Sequence, residues 1–412
     1  MADVDVIVVG AGVAGLSAAS ALRAAGKRCV VLEAASRIGG RAWTTMLGAA
    51  PFDHGAGWLH EADRNPLVEI ARAQGETLID SDAQRQRRIY VGDRVADAAE
   101  LAALAAAWDR LEEIGVRRTG PDVSFRAAIA PMWSDPWAET IEMWEARLIA
   151  AADPADFSFA DFRLNELNGR NMSLPGGIGD FVARRLGPMA GTVETDTPVT
   201  RIEWGGLVRA HTPRWVVAGR SCIVTESTGV LAAGAIDFDP PFPVAVREAI
   251  DALPMGLLTK VALRATGADR LDLPDSMSVQ RRVQGRAEMF FNAWSRGHDH
   301  ISGFIGGPAA WTLAREGEKA TMAFAQERLR ELFGTRADRA VTPVLATAWA
   351  DDQWHRGAYA YARTGHVDAR GVLGTPLAEG RLIFAGEAVR MDGLAGTVGG
   401  AWLSGQAAAA AS

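Results

Sequence analysis

Three glycines near the start of the chain have the spacing that a dinucleotide phosphate requires. They form the pattern G-x-G-x-x-G at Gly10, Gly12 and Gly15. The first allows a tight turn, the second lets a phosphate approach the backbone, and the third lets a helix pack closely on a strand. The apolar run Asp5–Val9 before them predicts a buried strand, and the alanine-rich segment Val13–Ala25 after them predicts a helix. The N-terminus of that helix would offer free N–H groups to the phosphates.

A carboxylate at the end of the next apolar run is placed to bind the sugar. Glu33 follows the run Cys29–Leu32, where its oxygens can accept hydrogen bonds from ribose hydroxyls. A glutamate here, rather than an arginine that could bind a 2′-phosphate, favours an unphosphorylated ribose. NADP is therefore disfavoured as the cofactor. These residues alone do not distinguish FAD from NAD.

The string Arg37-Ile38-Gly39-Gly40-Arg41 comes directly after this acidic residue. Its glycines allow a second close backbone approach, and its arginines can neutralise phosphate or support the adenosine side. The string resembles the continuation found in flavoproteins of the amine oxidase superfamily, whereas NAD dehydrogenases lack it. The resemblance therefore implies FAD.

Further segments in the same order resemble the monoamine and polyamine oxidases, and the likeness covers nearly the whole chain. These segments are Phe52–His60 with Asn65-Pro66, Gly256–Val261, Trp354 with Gly357–Tyr359, Phe384–Glu387 and Gly396–Val398. One departure stands out. The family usually has an apolar residue, proline and leucine where this chain has Glu226, Ser227 and Thr228.

The resemblance assigns chemistry to three positions. Lys260 matches the lysine that holds a water at flavin N5, and burial in an apolar strand should lower its pKa. Tyr359 matches the first of two aromatic rings that flank the substrate amine. Thr397 stands where the second ring is expected, so an indole such as Trp354 or Trp294 is the alternative source of that ring.

Two more positions discriminate within the family. The mitochondrial monoamine oxidases carry a cysteine that bonds covalently to the flavin, and this chain has Ala358 there, which implies non-covalent FAD. His60 occupies a place where polyamine oxidases often have histidine. It can orient or deprotonate an amine, or it can be a structural residue packed beside Trp58, and the sequence does not choose between these roles.

The resemblance thus implies a catalytic group and a larger cofactor-binding group. The catalytic candidates are Lys260, Tyr359, His60, Thr397 and Trp354. The cofactor-binding candidates are Gly10, Gly12, Val13, Ala14, Gly15, Glu33, Ala34, Arg37, Gly39, Gly40, Arg41, Ala56, Gly57, Trp58, Val199, Trp354, Gly386, Glu387, Gly396, Thr397 and Val398.

The implied reaction is oxidation of an amine C–N bond to an imine, with hydride passing to flavin N5. Dioxygen would reoxidise the flavin to give hydrogen peroxide, and water would hydrolyse the imine to an aldehyde or ketone. The alternatives are an amino-acid oxidase, a desaturase that passes electrons to a quinone, and a flavin-binding interaction protein with low turnover. An amino-acid oxidase needs an arginine for the carboxylate, and the candidates are Arg281, Arg282, Arg286 and Arg296.

The pattern of elements predicts a mixed α/β fold. Helices are predicted within 101–116, 137–152, 320–333 and 398–411, and strands within 193–204, 221–230 and 382–384. Alternation over 260–304 predicts a half-buried antiparallel sheet. A Rossmann-type FAD-binding domain would comprise the discontinuous segments 1–75, 180–259 and 350–412. An inserted substrate domain of antiparallel sheet and helices would comprise 76–179 and 260–349.

Composition and charge limit the partners and the cellular compartment that we expect for this protein. The 412 residues are 48% hydrophobic and 23% charged, and the net charge of −7 argues against nucleic-acid binding. Two cysteines, Cys29 and Cys222, are too few for a disulfide scaffold, and no His or Cys cluster has metal-ligand spacing. No run approaches the roughly 20 apolar residues of a membrane span, and the first strand begins almost at Met1. We expect a cytoplasmic protein whose partners are an amine and dioxygen. The sequence leaves its oligomeric state open, with a homodimer as one option.

Overall fold

The computed structural model describes residues 2–412, which form two large sheets and several helical layers. The strands in chain order are β1 Val4–Val9, β2 Cys29–Leu32, β3 Thr44–Leu47, β4 Ala50–Asp53, β5 Ile79–Asp80, β6 Gln86–Val91, β7 Arg94–Val95, β8 Met172–Ser173, β9 Val193–Glu194, β10 Arg201–Glu203, β11 Val208–His211, β12 Val216–Val224, β13 Asp237–Asp239, β14 Leu258–Ala265, β15 Met277–Arg281, β16 Phe290–Ala293, β17 His300–Gly306, β18 Val341–Ala346 and β19 Leu382–Phe384.

The α-helices account for most of the remaining regular structure. They are α1 Val13–Ala24, α2 Pro66–Ala73, α3 Ser81–Gln84, α4 Ala98–Arg117, α5 Phe125–Ala128, α6 Ala138–Glu142, α7 Phe159–Leu164, α8 Ile178–Phe181, α9 Gly187–Ala190, α10 Thr228–Ala232, α11 Val244–Asp251, α12 Pro308–Glu316, α13 Glu318–Phe333, α14 Arg336–Ala340, α15 Ala369–Gly374 and α16 Val398–Ala411. Two segments, Met143–Ile149 and Val182–Leu186, are π-helical. None of the helices described is both long enough and apolar enough to cross a bilayer.

The first sheet has the strand order β13-β10-β11-β12-β1-β2-β9, with β19 also paired to β12. Its centre is parallel, because β1 pairs in parallel with both β2 and β12. Alternate residues of β1 enter different cores: Val8 packs with the face that α1 and α16 cover, while Ile7 packs with the face that α11 and α15 cover. This explains why Val6 to Val9 of β1 are all apolar, since a parallel sheet covered on both faces has no solvent side.

The second sheet has the order β18-β14-β17-β16-β15-β6-β7. It is antiparallel as predicted except at one place, where β15 pairs in parallel with β6. The prediction of a half-buried sheet was wrong for β14, where Thr259 to Leu263 are all buried. Helices α12 and α13 pack on one face, and the other face lies against the cavity described below.

Two predicted strands differ from the structure. The segment 193–204 contains two short strands, β9 at one edge of the first sheet and β10 next to the strand at the other edge. The segment 221–230 leaves the sheet at Val224, because Ser227 begins helix α10 by accepting a hydrogen bond at its Oγ from the Val230 N–H at 3.2 Å. A serine at that position is a helix-start signal that outweighs the β-branched residues around it.

The two sheets draw on different parts of the chain. Every strand of the first sheet falls within 1–75, 180–259 or 350–412. Strands of the second fall within 76–179 and 260–349, apart from the first two residues of β14. The helices α4 to α7 add a separate apolar cluster around Phe125 and Trp137. The first and last helices of the chain meet directly, since Ser17 Oγ on α1 donates to the Trp402 carbonyl on α16 at 2.6 Å.

Candidate active site

A cavity of about 610 Å³ runs between the two sheets. Its volume lies within the range of small-molecule and cofactor pockets. The carboxyl ends of β1, β2 and β12 form one end of it through Gly10, Glu33 and Thr225. Strands β14, β16 and β17 form the opposite wall. A ligand in an open parallel sheet is expected at this carboxyl edge.

The glycine loop is shaped for a close phosphate. Gly10 has φ +92°, and a Cβ on Gly15 would lie 2.0 Å from the Gly10 carbonyl oxygen, so both positions require glycine. Gly12 is different, because a Cβ there would meet no protein atom within 4 Å. Its open side lines the cavity at the start of α1, which leaves room for a phosphate against the backbone.

The second glycine pair supports this loop. Gly39 forms a parallel β-bridge with Gly12, and Gly40 packs against Gly12. Arg37 does not line the cavity: its Nη1 donates to the Gly40 carbonyl at 2.7 Å, and its guanidinium lies 4.5 Å from the centre of the Trp43 ring. Arg37 therefore holds the loop in place, while Arg41 reaches the cavity.

Two buried carboxylates face the cofactor end of the cavity. Glu33 accepts hydrogen bonds from the backbone N–H groups of Ala11 at 2.6 Å and Ala35 at 2.7 Å. Glu387 Oε1 accepts from Arg41 Nη1 at 2.8 Å and from the Ala360 N–H at 3.1 Å. Glu387 Oε2 is buried and has no partner within residues 2–412. An orphaned acceptor in such a place fits a cofactor hydroxyl, because leaving it unpaired is costly.

These features fit FAD. The glycine loop would hold the diphosphate, Glu33 and Glu387 would accept from sugar or ribityl hydroxyls, and α16 would present its N-terminus. Thr397 caps that helix, since its Oγ1 accepts from the Gly400 N–H at 3.0 Å and donates to the Leu394 carbonyl at 2.7 Å.

Lys260 projects from β14 into the cavity. Its Nζ donates to the carbonyl oxygens of Asp53 at 2.9 Å and Gly55 at 2.6 Å and lies 5.6 Å from the ring centres of both Trp58 and Phe304. Burial lowers the pKa of Lys260 to about 8, against a small opposing effect of Asp53. Two N–H bonds of Lys260 are used on these carbonyls, so one position on Nζ is left for a water, which would accept from a third N–H when the lysine is protonated and donate to the lone pair when it is neutral.

Tyr359 lines the cavity opposite the position of the missing second ring. Its hydroxyl donates to the Leu148 carbonyl at 3.1 Å, and burial and the nearby Glu387 raise its pKa. Its ring lies 3.6 Å from where a Cβ on Gly396 would stand. The phenol is therefore anchored at its oxygen and presents its ring to the cavity.

Part of the aromatic lining comes from residues that the sequence analysis did not name. A row of rings leads from Trp58 through Phe304 and Phe290 to Trp144, with centroid separations of 5.9, 5.7 and 5.0 Å. Trp354 does line the cavity. The suggestion of Trp294 was wrong, because its side chain is fully buried in the core of the second sheet and donates to the Arg270 carbonyl at 3.0 Å.

His60 sits at the end of a polar chain. Asn171 Nδ2 donates to Asp82 Oδ2 at 3.0 Å, which turns Asn171 Oδ1 toward His60 Nδ1 at 2.6 Å. Nδ1 is then the donor, and Nε2 keeps an unprotonated lone pair. Burial lowers the pKa of His60, so the ring is neutral at pH 7.

The sequence analysis did not identify the acidic residues at the end of the cavity away from the glycine loop. Glu145, in the π-helical segment 143–149, has its pKa raised to about 8 by burial and by the charges of Glu166 and Glu112. Burial and the neighbouring Glu112 raise the pKa of Glu166 to about 7, although Arg163 Nη1 lies 2.7 Å away. Both glutamates line the cavity. A single acid in a helical segment usually indicates a solvated face, so only the fold shows this pair.

Several predicted residues lie elsewhere. Val199 packs in the core between the first sheet and α11 and is absent from the cavity wall. The four arginines considered for a substrate carboxylate also lie outside the wall: Arg281, Arg282, Arg286 and Arg296. The other cofactor candidates line the cavity, apart from Gly15 and Arg37, which shape the loops.

Comparison with known proteins agrees with this geometry. The family model described as flavin containing amine oxidoreductase matches residues 13–135 and 133–411. The chain is 28% identical over 98% of its length to probable polyamine oxidase 4 of Arabidopsis thaliana, covering 86% of that protein. It is also 28% identical to lysine-specific histone demethylase 1 homolog 1 of Oryza sativa subsp. japonica, but spans only 52% of that protein.

Among solved structures, putrescine oxidase bound to putrescine superposes with a TM-score of 0.82 over 99% of this chain and 98% of that one, at 22% identity. This likeness confirms the predicted fold class. The family model matches most of the chain, which confirms the predicted flavin-dependent oxidation of amines. The chain therefore belongs to the flavin-containing amine oxidoreductases and is an FAD-dependent oxidoreductase that acts on amines.

Proposed function

We propose that the protein oxidises an amine that carries a second cationic nitrogen, with non-covalent FAD and with dioxygen as the electron acceptor. One observation carries the choice of substrate class. Glu145 is half-buried in the cavity wall, and no group within residues 2–412 forms an ion pair or a hydrogen bond with its carboxyl. A distal ammonium group would supply that partner.

The cavity has the polarity that such a substrate needs. When bound, FAD supplies an acceptor at N5 for the equivalent of hydride from the carbon next to the reacting nitrogen. The reacting amine would lie near Lys260 and Tyr359, bounded by Trp58 and Phe304. The row of aromatic rings toward Trp144 would cover the methylene chain, and the distal nitrogen would reach the acidic region beyond it.

Charge favours this orientation over its reverse. An ammonium beside Glu145 returns that carboxyl to its ionised form, so binding of the distal nitrogen releases a proton from the protein. The reacting nitrogen must instead be neutral to release electron density, and the apolar rings around Lys260 disfavour its protonated form. The names of the relatives, polyamine oxidase and putrescine oxidase, are consistent with a substrate that has two nitrogens.

Lys260 and His60 are the proposed proton-handling groups. Lys260 would hold a water at the remaining position on its Nζ, and the neutral His60 would accept a hydrogen bond or a proton from the amine through Nε2. Asp82 and Asn171 act as positioning residues for His60, because they determine which of its nitrogens carries the proton. We further propose that the segments 1–75, 180–259 and 350–412 bind the cofactor and that 76–179 and 260–349 bind the amine.

Non-covalent retention of FAD is supported by the position of the thiols. Ala358 lines the cavity, whereas Cys29 and Cys222 lie in strands β2 and β12, away from its wall. Denaturing the holoprotein should release all of its flavin into the filtrate. The variant Ala358→Cys serves as the matched comparison, because a thiol at this place should retain flavin on the denatured chain. Flavin that stays with the denatured wild type would contradict the proposal.

The decisive experiment compares a diamine with the monoamine of equal chain length in a peroxide-coupled assay. Glu145→Gln should lower kcat/KM for the diamine about 10- to 100-fold, the effect of losing a charge-assisted contact, and leave the monoamine nearly unchanged. Glu113→Gln is the control, since Glu113 is an exposed acid on α4. Equal losses for both amines would contradict the distal role of Glu145. If no amine yields peroxide despite full flavin loading, dioxygen is not the acceptor.

A second candidate, oxidation of amino acids, has one observation in its favour. Arg85 and Arg87 line the cavity and could hold a carboxylate. Arg85 is already paired with Asp82 at 3.5 Å, however, and Arg87 is largely exposed beside the Trp144 ring. Including amino acids in the same peroxide screen tests this candidate directly.

A further inference from the structure

The departure from the family pattern at Glu226 places an acidic side chain inside the cofactor end of the cavity. Glu226 follows Thr225 at the end of β12, and Thr225 Oγ1 donates to the Val9 carbonyl at 2.7 Å. The Glu226 carboxyl lines the cavity beside the glycine loop, where its Oε1 would lie 3.4 Å from a Cβ on Gly10. An anionic diphosphate is expected at this same loop, so an acid here needs a physical explanation.

The surroundings of Glu226 leave its carboxyl without a protein partner. No group within residues 2–412 hydrogen-bonds to it or forms an ion pair with it. Three charged groups border this part of the cavity: Glu33 from the end of β2, Arg41 from the following loop and Glu387 from the loop after β19. Arg41 cannot neutralise Glu226 fully, because its Nη1 is already donating to Glu387 and to the Ala358 carbonyl, both at 2.8 Å.

These neighbours favour the protonated form. Burial and the negative charge of Glu33 raise the pKa of Glu226 to about 8, and Arg41 opposes the shift only in part. A protonated carboxyl group has one O–H donor, which an ionised carboxylate lacks. The diphosphate and the hydroxyl groups of a dinucleotide are acceptors, so the neutral acid is compatible with the ligand and the ionised acid repels it.

We propose that Glu226 is a cofactor-binding residue whose carboxyl group donates a hydrogen bond to an oxygen of the bound dinucleotide. The proposal rests on the cofactor site and does not depend on which amine is oxidised. It makes the affinity for FAD sensitive to pH. Above the pH at which Glu226 ionises, binding must return a proton to it, and log Kd should rise by about one for each pH unit.

The test is a fluorescence titration of FAD into the deflavinated protein between pH 6 and pH 10. Wild type should bind with constant affinity up to about pH 8 and then progressively more weakly. Glu226→Gln keeps a donor but cannot ionise, so it should bind within about twofold of wild type at pH 7 and lose this decline. Glu226→Ala should bind roughly tenfold more weakly at pH 7. Glu69→Gln, an exposed acid on α2, is the control.

Three outcomes would overturn the proposal. Glu226→Ala could bind as tightly as wild type, which would show that no contact exists. Glu226→Gln could decline with pH as steeply as wild type, which would assign the titration to another group such as Lys260. Wild-type affinity could instead increase with pH while Glu226→Gln binds weakly, which would mean that an ionised carboxylate accepts from a hydroxyl. The wild-type pH profile needs no variant, and none of these readouts uses amine turnover.

Discussion

The two ends of the cavity are built by different means. The cofactor end is mostly backbone: Gly12 and the start of α1 lie close together in sequence, and a few carboxylates complete the site. The amine end is mostly side chains from distant segments, with Lys260 beside Trp58, and Tyr359 anchored on Leu148. A contiguous motif therefore encodes the first end, whereas the second exists only when the chain has folded.

The ends also differ in charge. Helix N-termini and Arg41 suit the anionic diphosphate, while Glu145 and Glu166 suit a cation at the opposite end. The net charge of −7 reveals neither feature, because it sums the whole surface. A substitution at one end should therefore affect either cofactor retention or amine oxidation, but rarely both.

The largest effect is expected within the glycine loop. Gly15→Ala forces a Cβ to 2.0 Å from a backbone oxygen and should cost several kcal/mol of stability, enough to impair folding. Gly12→Ala meets no protein atom within 4 Å, so the apoprotein should keep its wild-type melting temperature and lose FAD binding alone. Thermal denaturation with and without FAD measures both effects. Equal destabilisation by the two variants would show that Gly12 has no special relation to the cofactor.

Lys260→Met should impair amine oxidation and leave FAD binding intact. Removing a proton-handling group should slow oxidative turnover about 10²- to 10⁴-fold, while the flavin absorbance of the purified protein stays at the wild-type level. Lys319→Met, at an exposed position on α13, is the matched control. Wild-type kinetics in Lys260→Met would remove this lysine from the mechanism.

The pH dependence of stability should also show that Lys260 is buried. The pKa of Lys260 is about 8 in the folded protein and near 10.5 when exposed, so the unfolded chain binds more protons between these values. Unfolding free energy should therefore rise with pH across this window, by at most about 1.4 kcal/mol per pH unit. The rise should be absent from Lys260→Met. Urea unfolding at pH 7.5, 9 and 10.5 measures it, and identical slopes in both proteins would show that the amine is not buried.

The smallest effect is expected at Thr397, which serves the cofactor end as a helix cap. Thr397→Ala removes the hydrogen bond from Gly400 and should cost about 1 kcal/mol of stability, whereas Thr397→Ser should restore most of it. Urea unfolding of the apoprotein measures the difference. A loss of amine specificity without any loss of stability would instead indicate that Thr397 contacts the substrate.

The two ends of the cavity also differ in how much of their structure could be predicted from the sequence. The spacing of Gly10, Gly12 and Gly15 and the apolar strand before them were sufficient to predict the local structure and the phosphate site, because every interaction there spans a few residues. The resemblance of the later segments pointed to Lys260 and Tyr359, which both line the cavity, and their catalytic roles stay predictions. The suggestion of Trp294 failed because this residue follows the end of β16 with φ +51° and its indole is buried in the core, which the alternating pattern does not reveal.

The phosphate site and the mixed α/β fold could be predicted from short motifs and local periodicity, whereas FAD and the oxidation of amines were predicted from the resemblance of several segments to a known family. Which side chains come together in the cavity depends on the tertiary structure. Glu145 lies 115 residues before Lys260 along the chain, and its role depends on burial beside Glu166, which no local pattern records. Burial likewise determines the charge states of Lys260 and Glu226, because a pKa shift arises from the solvent and charges that the folded chain removes or brings near.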